Sequence, residues 1–144
     1  MIVNTAYIYM GVGGGGGGTP ANPNLWQDGV ANYPVEFTKN SSIKPKYLSL
    51  ISGGSATFSE LLLTGFNSLT INKYGDNILP NIPIKIEFFN SSGQLLGTET
   101  VTFVYSTKTQ SVNIPSAAKI QNAKIRMTNE NSSKNINLSS AVLS

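Results

Sequence analysis

The sequence predicts an all-β protein, an antiparallel β-sandwich behind a glycine-rich N-terminal arm, and three features carry that reading. Apolar residues recur with a period of two in short runs. Clusters of Gly, Pro, Asn and Ser separate the runs at close intervals. The polar residues are of the strand-and-turn kind: the 144-residue chain holds 16 Asn, 17 Ser and 12 Thr, against 10 basic and 7 acidic residues. Helix surfaces are usually written in Glu, Lys, Gln, Arg and Ala, whereas Ser, Thr and Asn bond to nearby backbone and favour strands, turns and caps. One domain accommodates this length and buries roughly two thirds of the surface its unfolded chain exposes.

The N-terminal zone begins with a strand over 2–10, where Val3, Thr5, Tyr7 and Tyr9 alternate with Asn4, Ala6 and Ile8. Then come Gly13, Gly14, Gly15, Gly16, Gly17 and Gly18 without interruption, followed by a Pro- and Asn-rich stretch to Trp26. Consecutive glycines hold neither a helix nor an isolated strand against the entropy of ordering them. Two readings stay open for this run: a flexible linker, or a place where backbones of neighbouring subunits pack closely. Residues 1–32 are accordingly assigned to a docking and oligomerisation arm, and 33–144 to the sandwich.

Within 33–144 the period-two runs predict strands over 35–38, 47–51, 57–63, 68–73, 84–89, 95–105, 110–114, 124–128 and 135–143. Alternation is clearest where Ile84, Ile86 and Phe88 oppose Lys85 and Glu87, and where Val101, Phe103 and Tyr105 oppose Thr100, Thr102 and Val104. Such a pattern buries one face and leaves the other in water. The polar turn Asn90-Ser91-Ser92-Gly93 makes 89–95 the best hairpin, and 116–121 is a weak helical candidate too short to matter.

Composition excludes several functions. With no cysteine there is no disulfide or thiolate chemistry, and with no histidine a hydrolytic triad lacks its usual base. The net charge is +3, spread over single lysines with Arg126 the only arginine, so nucleic acid is not an expected partner. A signal peptide and an apolar membrane-spanning window are both missing, so neither secretion by a cleaved signal nor membrane insertion is expected. After the glycines comes Thr19-Pro20 rather than Lys-Ser/Thr, which argues against a phosphate loop.

Few residues are left to carry chemistry. Glu87 and Glu99 are the one pair of acids a hairpin brings near each other, and solvated strand positions are the plainer reading. No enzymatic activity, cofactor or metal is expected, although Gly75-Asp76-Asn77 offers oxygen atoms of the kind calcium takes. Asn-x-Ser triplets at Asn40, Asn90 and Asn131 read as turns. For sugar recognition the candidates are Trp26, Tyr33 and Tyr74 as flat apolar faces with Asn72 and Asn77 as amides. The alternative for Trp26 is an anchor that pins the arm to the domain or to a partner.

The stretch 119–129, a polar turn, and Asn135-Ile-Asn-Leu-Ser-Ser-Ala-Val-Leu resemble the closing strands of galactose-binding-like jelly rolls, the discoidin and carbohydrate-binding-module group. Residues 84–97 are similar to their central hairpin, and the likeness covers 47–143. It implies a jelly-roll-like sandwich. A signal-free chain with a polyglycine arm also resembles phage fibre, decoration and tail-tip proteins. The resulting expectation is a bacteriophage virion structural protein, assembled in the host cytoplasm. It would form a homo-oligomer such as a trimer, dock on other virion proteins through Tyr7, Tyr9, Gly13–Gly18 and Trp26, and meet host surface glycan. The alternative is a carbohydrate-binding module or adhesin whose arm is only a tether.

Overall fold

A computed structural model describes residues 4–6, 22–75, 81–120 and 122–144. In chain order the strands are β1 (Asn4–Ala6), β2 (Trp26–Gln27), β3 (Val30–Ala31), β4 (Val35–Phe37), β5 (Ser42–Ile43), β6 (Leu48–Leu50), β7 (Ser55–Leu62), β8 (Ser68–Lys73), β9 (Ile82–Asn90), β10 (Leu95–Phe103), β11 (Thr109–Asn113), β12 (Asn122–Asn129) and β13 (Ile136–Leu143). They form a six-stranded sheet in the order β1-β4-β7-β12-β9-β10 and a five-stranded sheet in the order β11-β8-β13-β6-β5, with β2 and β3 as a separate hairpin. Every pairing is antiparallel, and the chain repeatedly crosses between the sheets, as from β7 to β8 and from β8 to β9. This is the antiparallel sandwich that the patterning predicts, in the jelly-roll-like form that the resemblance implies.

Alternation decides which side chains meet between the sheets. On β9, Ile82, Ile84, Ile86 and Phe88 are all buried, and on β12 so are Ala123, Ile125, Met127 and Asn129. From the opposite sheet come Leu69 and Ile71 of β8, Leu48 and Leu50 of β6, and Ile136 and Leu138 of β13. Phe37, Phe58, Phe88 and Phe103 fill the interior, each no more than 2% exposed. Burying one such side chain stabilises the fold by about 1.5–3 kcal/mol.

Three expectations change. Tyr105, grouped by alternation with Val101 and Phe103, is 56% exposed because β10 ends at Phe103 and a turn follows. The helical candidate 116–121 shrinks to a single 3-10 turn at Ser116–Ala118. The boundary expected after residue 32 falls inside the packed unit: Leu25, Trp26 and Ala31 are core residues. Leu25 N donates to Ala141 O at 3.0 Å and Leu143 N to Pro23 O at 2.7 Å, so the segment from residue 22 is laced to the last strand. The reason is local. Asp28-Gly29, with φ of 53° and 80°, makes a two-residue turn between β2 and β3 that folds the apolar residues on either side back onto the sandwich.

The expected strand over 2–10 is described only at Asn4–Ala6, which pairs with β4 of its own chain through Asn4↔Phe37, Thr5↔Glu36 and Ala6↔Val35. Tyr7, Tyr9 and Gly13–Gly18 lie outside the described residues.

Candidate functional site

The two sheets turn different faces to solvent. The larger sheet presents charge: Lys85, Glu87, Lys124 and Arg126 lie on its outer side, with Glu87 only 8% exposed and held by Arg126. The smaller sheet presents uncharged amides and hydroxyls. On β8, Leu69 and Ile71 point inward, which turns Ser68, Thr70 and Asn72 outward. Hydroxyls on the neighbouring strands complete cross-strand ladders. Asn72 Nδ2 donates to Ser140 Oγ at 2.8 Å, and Thr109 Oγ1 donates to Asn72 Oδ1 at 2.7 Å. Thr70 Oγ1 and Ser111 Oγ stand 2.7 Å apart. The bonds fix each group's position, and each hydroxyl keeps hydrogen-bonding capacity for a partner above the sheet.

At one end of this face stand two aromatic rings. Tyr47 precedes β6 and Tyr74 follows β8, and their ring centroids are 4.8 Å apart at an interplanar angle of 38°. Both rings are partly exposed. Tyr74 N donates to Asn137 O at 2.9 Å, which ties this end of β8 to β13, while Lys44 N donates to Tyr47 O at 2.7 Å and closes the turn before β6.

Beside the pair lies a groove of about 310 Å³, walled on one side by Asn24, Trp26, Gln27 and Asp28 and on the other by Pro45 and Lys46, with Ser139 and Ser140 also lining it. The walls meet where Gly29 touches Pro45: a Cβ at Gly29 would come within 3.0 Å of Pro45 Cα. Trp26 is 3% exposed and stacks on Phe58, centroids 5.9 Å apart at 17°. Its Nε1 is buried and, among the described residues, has no hydrogen-bond partner. An indole N–H left in that state costs about 1–3 kcal/mol.

The sequence-derived sugar-binding residues therefore separate. Tyr74 and Asn72 share the polar face of the smaller sheet. Trp26 and Tyr33 are core residues instead: Phe58 covers the indole, and the Tyr33 hydroxyl donates to Asn22 O at 2.7 Å with the ring 8% exposed. Both side chains are turned into the interior rather than presented to solvent. Asn77 lies outside the described residues, as does Asp76, so the calcium-type loop is not described. The groove's other wall, Pro45-Lys46, carries no motif and was not singled out.

Glu87 and Glu99 are not a catalytic pair. Glu87 faces Thr98 across the hairpin while Glu99 faces Ile86, so the two carboxylates leave opposite sides of the sheet. Glu87 is engaged by Arg126, and Glu99 Oε2 accepts from Asn113 N at 3.2 Å. Among the described residues no group of three or more His, Cys, Asp or Glu is placed to hold a metal ion, and no helix is long and apolar enough to cross a membrane.

No family model matches the sequence, and no curated protein does. Among solved structures, the chain is similar to a family 6 carbohydrate-binding module at 14% identity, covering 88% of this chain and 98% of that one with a TM-score of 0.47. It is also similar to CsCBM6-3 from Clostridium stercorarium, solved with cellobiose, at 19% identity, 78% and 93% coverage and a TM-score of 0.44. A family 35 carbohydrate-binding module from Clostridium thermocellum shares 13% identity over 98% of this chain and 86% of that one, with a TM-score of 0.45.

Proposed function

We propose that the protein is a non-catalytic glycan-binding module whose ligand lies across the outer face of the smaller sheet. The observation that carries this reading is the Tyr47–Tyr74 pair, part-exposed and set beside a hydrogen-bonded row of uncharged amides and hydroxyls. A sugar ring presents C–H groups on its flat faces and hydroxyls around its rim. Aromatic faces take the first, and Asn72, Ser140 and Thr109 are held where they take the second. Such a face is shallow, so single-site binding is weak and several copies on one surface add avidity.

The rival reading, a virion component docking through residues 1–32, has less to rest on. Asn4–Ala6 pairs with β4 of the same chain, and Leu25, Trp26 and Ala31 belong to the core of the same sandwich, which leaves 1–3 and 7–21 for docking. A glycan array probed with the full chain tests the proposal. Specific glycans are retained, and Tyr47→Ala and Tyr74→Ala each weaken the retained interaction by about tenfold or more in calorimetry. Failure to retain any glycan, or retention indifferent to both substitutions, rejects it.

A further inference from the structure

We infer that the groove beside the tyrosine pair is a second sugar subsite, that its occupant is a neutral saccharide ring, and that Trp26 reports its filling. This deepens the glycan-binding reading and rests on it. Ser140, which lines the groove, is bonded to Asn72, and Asn72 lies two residues before Tyr74. Two residues along a strand span about 7 Å, so one extended saccharide reaches from the tyrosines into the groove.

The chemistry of the walls selects the occupant. Asp28 and Lys46 are both exposed, both line the groove, and neither is in an ion pair among the described residues. An anionic sugar that satisfies Lys46 meets Asp28, and a cationic one that satisfies Asp28 meets Lys46. A neutral ring avoids both repulsions: its hydroxyls donate to the carboxylate and accept from the ammonium. The volume of about 310 Å³ sits at the lower end of the roughly 300–1,000 Å³ of small-ligand clefts, which suits a ring or two rather than a long chain lying lengthwise.

Trp26 supplies the second, independent observation. Its Nε1 is a buried donor without an acceptor among the described residues, in a residue that lines the groove. A saccharide oxygen seated in the groove provides that acceptor after a small shift of the β2–β3 wall. Because this is the only tryptophan in the chain, its emission reads this one event.

The full chain is titrated with cellobiose, and with neutral, amino-sugar and uronic-acid oligosaccharides of matched length, while calorimetry and Trp26 fluorescence are followed together. Neutral oligosaccharides bind best and shift the Trp26 emission. Asp28→Asn, which keeps a residue suited to the turn, and Lys46→Met each weaken them by about tenfold, as loss of a hydrogen bond to a charged group does. If a neutral glycan binds with loss on Tyr74→Ala but with unchanged Trp26 emission and no response to Asp28→Asn, the subsite is rejected while the glycan-binding module stands. Tighter binding of either charged series also rejects it. If no saccharide binds, both fall.

Discussion

Arg126 places two nitrogens on one oxygen of Glu87: Nε lies 2.9 Å and Nη2 2.8 Å from Glu87 Oε1. The guanidinium simultaneously rests 4.7 Å from the centroid of the Phe89 ring. Glu87 is one of the few buried charged residues, and its other ionic contact, Lys85 Nζ, is at 3.9 Å. Replacing Arg126 by Met therefore strands a largely desolvated carboxylate and also removes the cation–π contact. With Arg126 itself 40% exposed, the expected loss is about 1–3 kcal/mol, less than for a fully buried pair. Urea unfolding of Arg126→Met, Glu87→Gln and the double variant measures it. Glu87→Gln alone costs less, and the double variant recovers part of the Arg126→Met loss. Equal costs for the two single variants and strict additivity are the contrary outcome.

Asn129 is wholly buried and acts as a clamp between the sheets. Its Nδ2 donates to Leu50 O at 3.1 Å and to Lys134 O at 2.8 Å, and its Oδ1 accepts from Asn131 N at 2.9 Å. Alanine here removes the partner of three backbone groups at once, and the expected destabilisation is about 2–4 kcal/mol. Leucine, larger and apolar, does not rescue it, since the backbone groups still lack partners. Thermal melting of both variants checks this, and near-native stability of Asn129→Leu contradicts the clamp.

The sandwich was legible because a sheet with one buried face must write itself with period two, as β8, β9 and β12 do and as β13 does on either side of its register shift at Ser139–Ser140. What was missed obeys no such rule. The β2–β3 hairpin has strands too short for periodicity to show, and only its Asp28-Gly29 turn marks it. Its apolar residues, next to a glycine-rich stretch, were grouped with the arm by composition. Of the candidate residues, Tyr74 and Asn72 were picked out through their place beside a strand end, and the structure puts both on the outer face of the smaller sheet. Trp26 and Tyr33 were candidates by residue type, with an anchor as the other reading of Trp26, and the return of the chain onto β13 puts both in the core. The ladder of Asn72, Ser140 and Thr109 joins residues that are remote in the chain, so it becomes visible only once strand order is known.

Adjacent glycines after β6 make opposite demands. A Cβ at Gly54 would lie 2.4 Å from Ser41 Oγ, 2.9 Å from Thr38 O and 3.0 Å from Ile51 O, two of these being backbone atoms that cannot swing aside. At Gly53 nothing lies within 4 Å, and only the φ of +71° disfavours a side chain. Gly54→Ala is therefore expected to cost about 2–3 kcal/mol through overpacking, and Gly53→Ala about 1 kcal/mol through backbone strain. Gly53→Asn, a residue that tolerates this conformation, recovers part of the smaller loss. Denaturant midpoints of the three variants order them, and a reversed order for the two alanines argues against the Ser41 contact.

Truncation locates where the folded unit begins. A chain starting at Asn22 keeps Leu25, Trp26 and Ala31 in the core, the bonds from Leu25 N and Leu143 N to the facing strand segments, and the Tyr33 hydroxyl bond to Asn22 O. Its described loss is the three-residue β1, which pairs only with β4. A chain starting at Tyr33 loses the whole β2–β3 hairpin and uncovers one face of Phe58. Removing a buried Leu and a buried Trp each costs about 2–5 kcal/mol, which together approach the roughly 5–15 kcal/mol that holds a whole domain folded. The 22–144 chain is therefore expected to unfold cooperatively with a modestly lowered midpoint, and the 33–144 chain to lose its cooperative transition and bind a dye specific for exposed apolar surface. Circular dichroism melts of the two chains decide the matter: a sharp, near-native transition for 33–144 means the hairpin is an appendage, and the boundary belongs at 32 after all.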